Sequence, residues 1–181
     1  SLSLAKPDAV HTVKHHRAIK WEELPKFIKA LNNLDAPKGS RPDVQCMLFM
    51  ILTVSRPSEA RLADWDEIDL EQKVWTQPAG KYKSKKMWEI PLCPTAIKIL
   101  KAQPKRRGRV FSTLNGTELY SAALSSMPDA LGFDAVAHGF RATFRTWGQK
   151  QKRFTEEELE LSLKHLDTVG CRAAYARDQL L

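Results

Sequence analysis

Cysteine is scarce: the 181 residues hold three, Cys46, Cys93 and Cys171, far apart and without a CxxC pair. An odd, dispersed set indicates neither a disulfide framework nor a zinc site, and it points to a reducing compartment. Also missing is any apolar run near the ~18 residues that mark a membrane span. The N-terminus has no charged region leading into an apolar stretch, so no signal peptide is expected and a cytoplasmic setting follows. Neither a repeat period nor a low-complexity tract is present. An initial Met is lacking too: the chain opens on Ser1-Leu2-Ser3-Leu4-Ala5 and stops at Leu180-Leu181 directly after a helical pattern, which reads as a piece trimmed from a longer polypeptide.

What is present is an ordinary globular composition, 43% apolar and 28% charged with five Trp, seven Phe and three Tyr. A chain of this length buries roughly 70% of the surface its unfolded form exposes, enough for one sizeable core, so one domain is expected over 21–181 behind an irregular lead-in over 1–20. The formal net charge is +8. Between Lys81 and Arg109 ten basic residues face the single acid Glu89, a net of +9 that accounts for the whole excess. Such a segment favours an anionic partner.

The patterning is mostly helical. Leu24, Phe27, Ile28, Leu31 and Leu34 recur at three-and-four spacing, which predicts an amphipathic helix over about 22–34. Val44 to Val54 is nearly unbroken apolar sequence, as in a helix buried through a domain centre, and Arg56 emerges directly from it. Pro57 opens a short helix carrying Glu59, Ala60 and Leu62. Strands at about 74–76 and 86–90 flank a basic turn containing Gly80, a hairpin signal. A helix from Pro94 to about 102, a short extended return at Gly108-Arg109-Val110-Phe111, and helices at about 118–128 and 140–150 follow. Thr155 with Glu158 makes a capping box for a helix over 156–164, and a last helix over about 169–179 carries Tyr175. The fold class predicted is mainly α with a small antiparallel β-sheet.

At His138-Gly139-Phe140-Arg141-Ala142-Thr143 the sequence resembles the His-x-x-Arg box of tyrosine site-specific recombinases, most closely the integrases of phages and genomic islands. Other parts occur in family order. Thr53-Val54-Ser55-Arg56-Pro57-Ser58-Glu59-Ala60 resembles the box of the first catalytic Arg. Trp75-Thr76-Gln77-Pro78, Lys83 and Ile90-Pro91-Leu92 resemble the hairpin that presents the catalytic Lys. Leu163-Lys164-His165 matches the second histidine position and Arg172-Ala173-Ala174-Tyr175 the tyrosine box, with His165 ten residues ahead of Tyr175. The family usually has Gly where Val54 or Ser55 stands, and a Pro- or Arg-rich lead into the hairpin return where this chain has Met87-Trp88.

The resemblance implies site-specific DNA recombination, integration or excision, by metal-free transesterification through a 3′-phosphotyrosyl intermediate. Tyr175 would be the nucleophile and Arg56 and Arg141 the cations at the phosphoryl oxygens. His138 would exchange the tyrosyl proton, His165 would bond a non-bridging oxygen, and Lys83 would protonate the leaving 5′ oxygen. For that last role Lys81, Lys85 and Lys86 are competitors within three residues. Glu59 would orient Arg56 and the nearby histidine without touching DNA. Lys81, Lys85, Lys86, Lys101, Lys105, Arg106, Arg107 and Arg109 read as phosphate contacts that place the duplex. No cofactor or metal is called for. The implied partners are double-stranded DNA, further protomers in a tetrameric synapse, and accessory DNA-bending proteins, with no membrane. An N-terminal core-binding domain before Ser1 and a C-terminal tail beyond Leu181 are implied as absent from this chain.

Three other readings compete. A type IB topoisomerase uses the same side-chain types to nick and religate. A basic helical module could bind DNA without cutting. A metal-dependent nuclease could draw on His15, His16, Asp64, Asp66 and Asp69, although their spacing is not that of a dense metal site.

Overall fold

The computed structural model describes residues 16–35, 37, 41–82, 86–104 and 106–165. Eight α-helices and three short strands are formed among them. The predicted last helix over 169–179 lies outside the described residues.

The centre is a helix, α2 (Pro42–Leu52), in which every side chain from Val44 to Met50 is buried. A helix apolar on all sides has to be surrounded. On one side α1 (Leu24–Leu34) contributes its buried stripe of Phe27 and Leu31. Elsewhere around it lie α3 (Pro57–Arg61), α4 (Pro94–Lys101) and α5 (Ser121–Ser125). Phe49 meets Trp75 and Phe111 with ring centroids 5.2 Å and 5.4 Å apart, tying the helices to the sheet. Each fully buried ring or Leu contributes about 1.5–3 kcal/mol of transfer free energy. Cys46 lies inside this core, and burial pushes its thiol well up, so it behaves as a small apolar side chain.

Prolines set several starts: α2, α3 and α4 open on Pro42, Pro57 and Pro94, where the missing N–H costs nothing. The sheet is antiparallel in the order β1 (Ile68–Asp69), β2 (Val74–Gln77), β3 (Trp88–Pro91). The strands at 74–76 and 86–90 are thus found with shifted ends, and a third, two-residue strand joins them.

The helix predicted over 118–128 differs most. Its first residues are extended, with Glu118 bridged to Ser112, and the rest forms α5 and α6 (Met127–Ala130). Pro128 has no N–H to continue the ladder of α5, so the helix restarts there. The final helices are α7 (Phe140–Gln151) and α8 (Glu156–Ser162), the latter opened by the predicted Thr155–Glu158 capping box. No described helix is long and apolar enough to cross a membrane.

Candidate active site

Two helix ends build the site. At the end of α2, Val54 N–H donates to Ile51 O and Ser55 N–H to Met50 O. At the end of α8, Lys164 N–H donates to Leu161 O and His165 N–H to Glu160 O. Both are Schellman turns, which need a left-handed residue just past the helix, normally glycine. Here Val54 and Lys164 fill the position with φ of +51° and +55°. A left-handed non-glycine residue costs about 1–2 kcal/mol. The family's usual Gly near Val54 therefore answers a backbone demand that this chain meets under strain.

Both turns aim at Arg141, in the first turn of α7. Its Nη1 donates to Val54 O at 2.6 Å, and its Nη2 donates to Leu163 O and meets His165 Nε2 at 3.1 Å. The side chain is buried; burial and the nearby Arg56 lower it to about 10, against Glu59 and Glu160, so it stays charged at neutral pH. Among the described residues its contacts engage three of its five donors. His165 Nδ1 lies 2.9 Å from Glu160 Oε2. A ring that donates from Nδ1 to that carboxylate offers an Nε2 lone pair to Arg141, which defines the neutral tautomer in this arrangement.

Arg56 stands at the start of α3, where its backbone N–H donates to Glu59 Oε2 at 2.8 Å and its Nη1 to Glu59 Oε1 at 2.9 Å. Glu59 is buried. His138 sits half-buried in a single 3-10 turn, Ala137–Gly139, one step before α7. Burial, then the charges of His16, Arg141, Arg56 and His165, hold its imidazole below the ordinary histidine range. Arg56, Glu59, His138, Arg141 and His165 are thus brought together from three distant stretches of chain. Lys83, Lys85, Lys105 and Tyr175 lie outside the described residues.

Two site residues were not singled out from the sequence. The Lys164 ammonium, its side chain 3% exposed, donates to Glu59 Oε2 and to Gln77 Oε1, the latter at 2.8 Å. Gln77 ends β2 and is buried; its oxygen must face Lys164, since the reverse orientation would set NH2 against an ammonium. Burial drives Lys164 down to about 8, with Glu59 opposing and Arg141 and Arg56 adding. For Glu59 burial acts upward, and Lys164 and Arg56 outweigh it, leaving the carboxyl below its ordinary range. The folded chain thus binds fewer Lys164 protons than the unfolded chain between about pH 8 and the ordinary value of 10.5, so this group's contribution to stability rises with pH there. Glu59's contribution, fully present above the ordinary carboxyl range, is lost as pH falls through its lowered folded value. Lys164→Met is expected to cost about 3–5 kcal/mol, because it strands a buried carboxylate. Paired with Glu59→Gln, the loss should be clearly smaller than the sum of the single changes, which a urea-unfolding double-mutant cycle measures.

Of the basic residues expected on phosphates, Lys81 and Arg109 are engaged in ion pairs within the protein. Lys81 Nζ lies 2.6 Å from Asp64 Oδ2 and also meets Glu67, and Arg109 Nη1 lies 2.7 Å from Asp64 Oδ2. Glu67 further accepts from Trp75 Nε1 at 2.9 Å and Tyr82 OH at 2.7 Å. This part-buried cluster holds Lys81 and Tyr82 against the chain around Asp64. Lys86, Lys101, Arg106 and Arg107 are exposed, and Arg106 and Arg107 line an open cleft of about 490 Å³ with Gly108, Arg109, Ser112 and Gly116.

The architecture that positions these groups is found in solved recombinases. XerH site-specific recombinase bound to difH substrate superposes with a TM-score of 0.65 over 87% of this chain and 50% of that one, at 22% identity. XerA recombinase gives 0.63 over 91% and 66%, at 13% identity. The fold is that of a tyrosine recombinase catalytic domain. In sequence, the chain is 30% identical over 167 residues to prophage integrase IntZ of Escherichia coli K12, covering 89% of this chain and 40% of the relative. It is 29% identical over 178 residues to prophage integrase IntA of the same strain, covering 93% and 41%. The chain belongs to the phage integrase family of tyrosine recombinases. It spans about two fifths of the length of these two relatives. No family model matches it.

Proposed function

We propose that this chain is the catalytic part of a site-specific recombinase that integrates or excises DNA by breaking and rejoining strands through Tyr175. The observation that carries the reading is that Arg56, His138 and His165 gather around the one buried guanidinium of Arg141.

In the first step the Tyr175 phenol passes its proton to neutral His138 and attacks the scissile phosphorus. The P–O5′ bond breaks, the DNA 3′ end becomes a phosphotyrosyl ester, and the 5′ oxygen leaves as a hydroxyl after taking a proton from Lys83. Attack by a 5′-hydroxyl on the ester reverses each transfer, so rejoining needs no external energy. Arg56, held rigid by Glu59, and Arg141, held by two backbone carbonyls, neutralise the phosphoryl oxygens without reorganising. For His165 to donate to a non-bridging oxygen its Nε2 must carry a proton and release Arg141, while Glu160 at Nδ1 fixes the direction of the ring. Double-stranded DNA is the substrate, held through Lys86, Lys101, Arg106 and Arg107, and recombination would pair four protomers with accessory DNA-bending proteins.

The experiment is incubation with a nicked suicide substrate followed by denaturing electrophoresis. A covalent protein–DNA adduct is expected, at undiminished yield in excess EDTA, because Arg56, Arg141, Lys83 and the histidines supply the charge and the protons. No adduct would favour a binding module. Loss in EDTA with recovery in magnesium would favour a nuclease, although Asp64 is already engaged by Lys81 and Arg109. Strand exchange between two sites distinguishes a recombinase from a type IB topoisomerase.

A further inference from the structure

Residues 16–20 form an extended strap fastened on both sides of His138. Val136 N–H donates to Arg17 O at 3.1 Å, and the Thr143 hydroxyl donates to Ile19 O at 2.7 Å. The Arg17 guanidinium bridges Asp129 at 3.0 Å and Asp134 at 2.6 Å, while the Ile19 side chain is buried. Gly139, the residue after His138, makes the passage possible: a Cβ there would lie 2.0 Å from Arg17 O. The described part of the strap begins at His16, whose ring lies against the His138 ring with centroids 4.4 Å apart and planes inclined by 50°. The His16 side chain is exposed, yet the backbone that delivers it is held at Arg17 and at Ile19.

We propose that His16 is a positioning residue of this site, a second imidazole that restrains the His138 ring and keeps it in the neutral, proton-accepting form. The proposal rests on the reading of His138 as the acceptor of the Tyr175 proton. Among the described residues the charged groups that act on His138 are His16 from the strap, Arg141 from α7, Arg56 from the start of α3 and His165 from the turn after α8. All carry or can carry positive charge, and burial works in the same direction, so His138 resists protonation. Among the four, His16 alone reaches it from the exposed strap by ring contact, so it is the group that can be changed without disturbing Arg141, Arg56 or the buried core.

The sign of the effect follows. Removing His16 removes one charge that opposes protonation, so His138 takes its proton at higher pH and the acid limb of cleavage moves up with it. Two substitutions separate charge from contact: His16→Phe keeps a ring and loses the charge, and His16→Ala loses both. In the whole chain, His138 is titrated by histidine-selective NMR without DNA, and single-turnover cleavage of a nicked suicide substrate is followed against pH. In both variants His138 is expected to titrate at higher pH than in the unaltered protein. The plateau rate should fall about tenfold in His16→Ala, the scale of a misoriented base, and return largely in His16→Phe. An unchanged His138 titration and an unchanged plateau in His16→Ala overturn the proposal. A His138 titration that moves while the acid limb of cleavage stays fixed supports the coupling of the two rings and instead removes His138 as the proton acceptor. Because the NMR arm reads the ring pair without any chemistry, failure of the ring coupling and failure of the catalytic reading give different patterns.

Discussion

Replacing Tyr175 with phenylalanine is expected to abolish the covalent protein–DNA adduct while leaving DNA affinity within about twofold. The change removes one hydroxyl and no charge, and binding of this kind is carried by phosphate contacts from basic side chains. On the proposed reading the exposed Lys86, Lys101, Arg106 and Arg107 would supply such contacts without reference to position 175. Adduct formation, by contrast, depends on that hydroxyl: of the other two tyrosines, Tyr82 is buried on Glu67, where burial and that carboxylate push its phenol well up, and Tyr120 is exposed at the N-cap of α5. The measurement pairs a gel-shift titration with denaturing electrophoresis on a nicked substrate. Equal adduct yield from the phenylalanine variant would sink the assignment of Tyr175.

The second large effect concerns Lys83. If it is the general acid, Lys83→Ala should slow single-turnover cleavage by about 10²–10⁴-fold on an ordinary phosphodiester. On a substrate whose bridging 5′ oxygen is replaced by sulfur the loss should shrink to a few-fold, because a thiolate leaves without a proton. Arg56, Arg141 and Tyr175 remain necessary on both substrates. The neighbouring lysines should behave differently. Lys85→Ala and Lys86→Ala should weaken binding modestly and equally on the two substrates, as lost phosphate contacts do. Lys81→Ala should show up chiefly as lost stability, since its ammonium spans Asp64 and Glu67. Sulfur rescue of the Lys85 variant with none for Lys83 would shift the hairpin register and leave the chemistry standing.

The parts of the site legible in the sequence are those carried by short spacing. His138 and Arg141 stand three apart where a 3-10 turn runs into α7, and Arg56 and Glu59 three apart around Pro57, so local geometry puts the members of each pair close in space. The apolar run of α2, the capping box of α8 and the hairpin strands were readable for the same local reason. What escaped depends on tertiary convergence. Lys164 looks like an ordinary solvated lysine until α8 is set against β2 and α3, where it becomes the buried counter-ion of Glu59. Gln77 reads as one polar residue at a strand end, and His16 as one of the basic cluster Lys14-His15-His16-Arg17 in the lead-in. β1 is two residues long, too short for any periodicity to register. Nor could charge alone show that Lys81 and Arg109 are held by Asp64 while Arg106 and Arg107 line an open cleft. α2 stops at Leu52 although the apolar run continues, because Thr53 turns its hydroxyl back to Phe49 O at 2.8 Å and Val54 goes left-handed.

The strap over Gly139 bears on where this polypeptide can be cut. By composition the boundary falls at residue 20, ahead of the first helical turn. By hydrogen bonding it does not. Scission between Lys20 and Trp21 would let go a peptide that covers Val136 N–H, caps the Thr143 hydroxyl and fills the space left by a missing Cβ at 139. The resulting piece would keep both arginines and its charge while exposing the flank of the His-x-x-Arg box to water. A dissection that preserves the box as a unit therefore places its scissor upstream of His16, and the glycine inside the motif is dictated by a segment more than a hundred residues away along the chain.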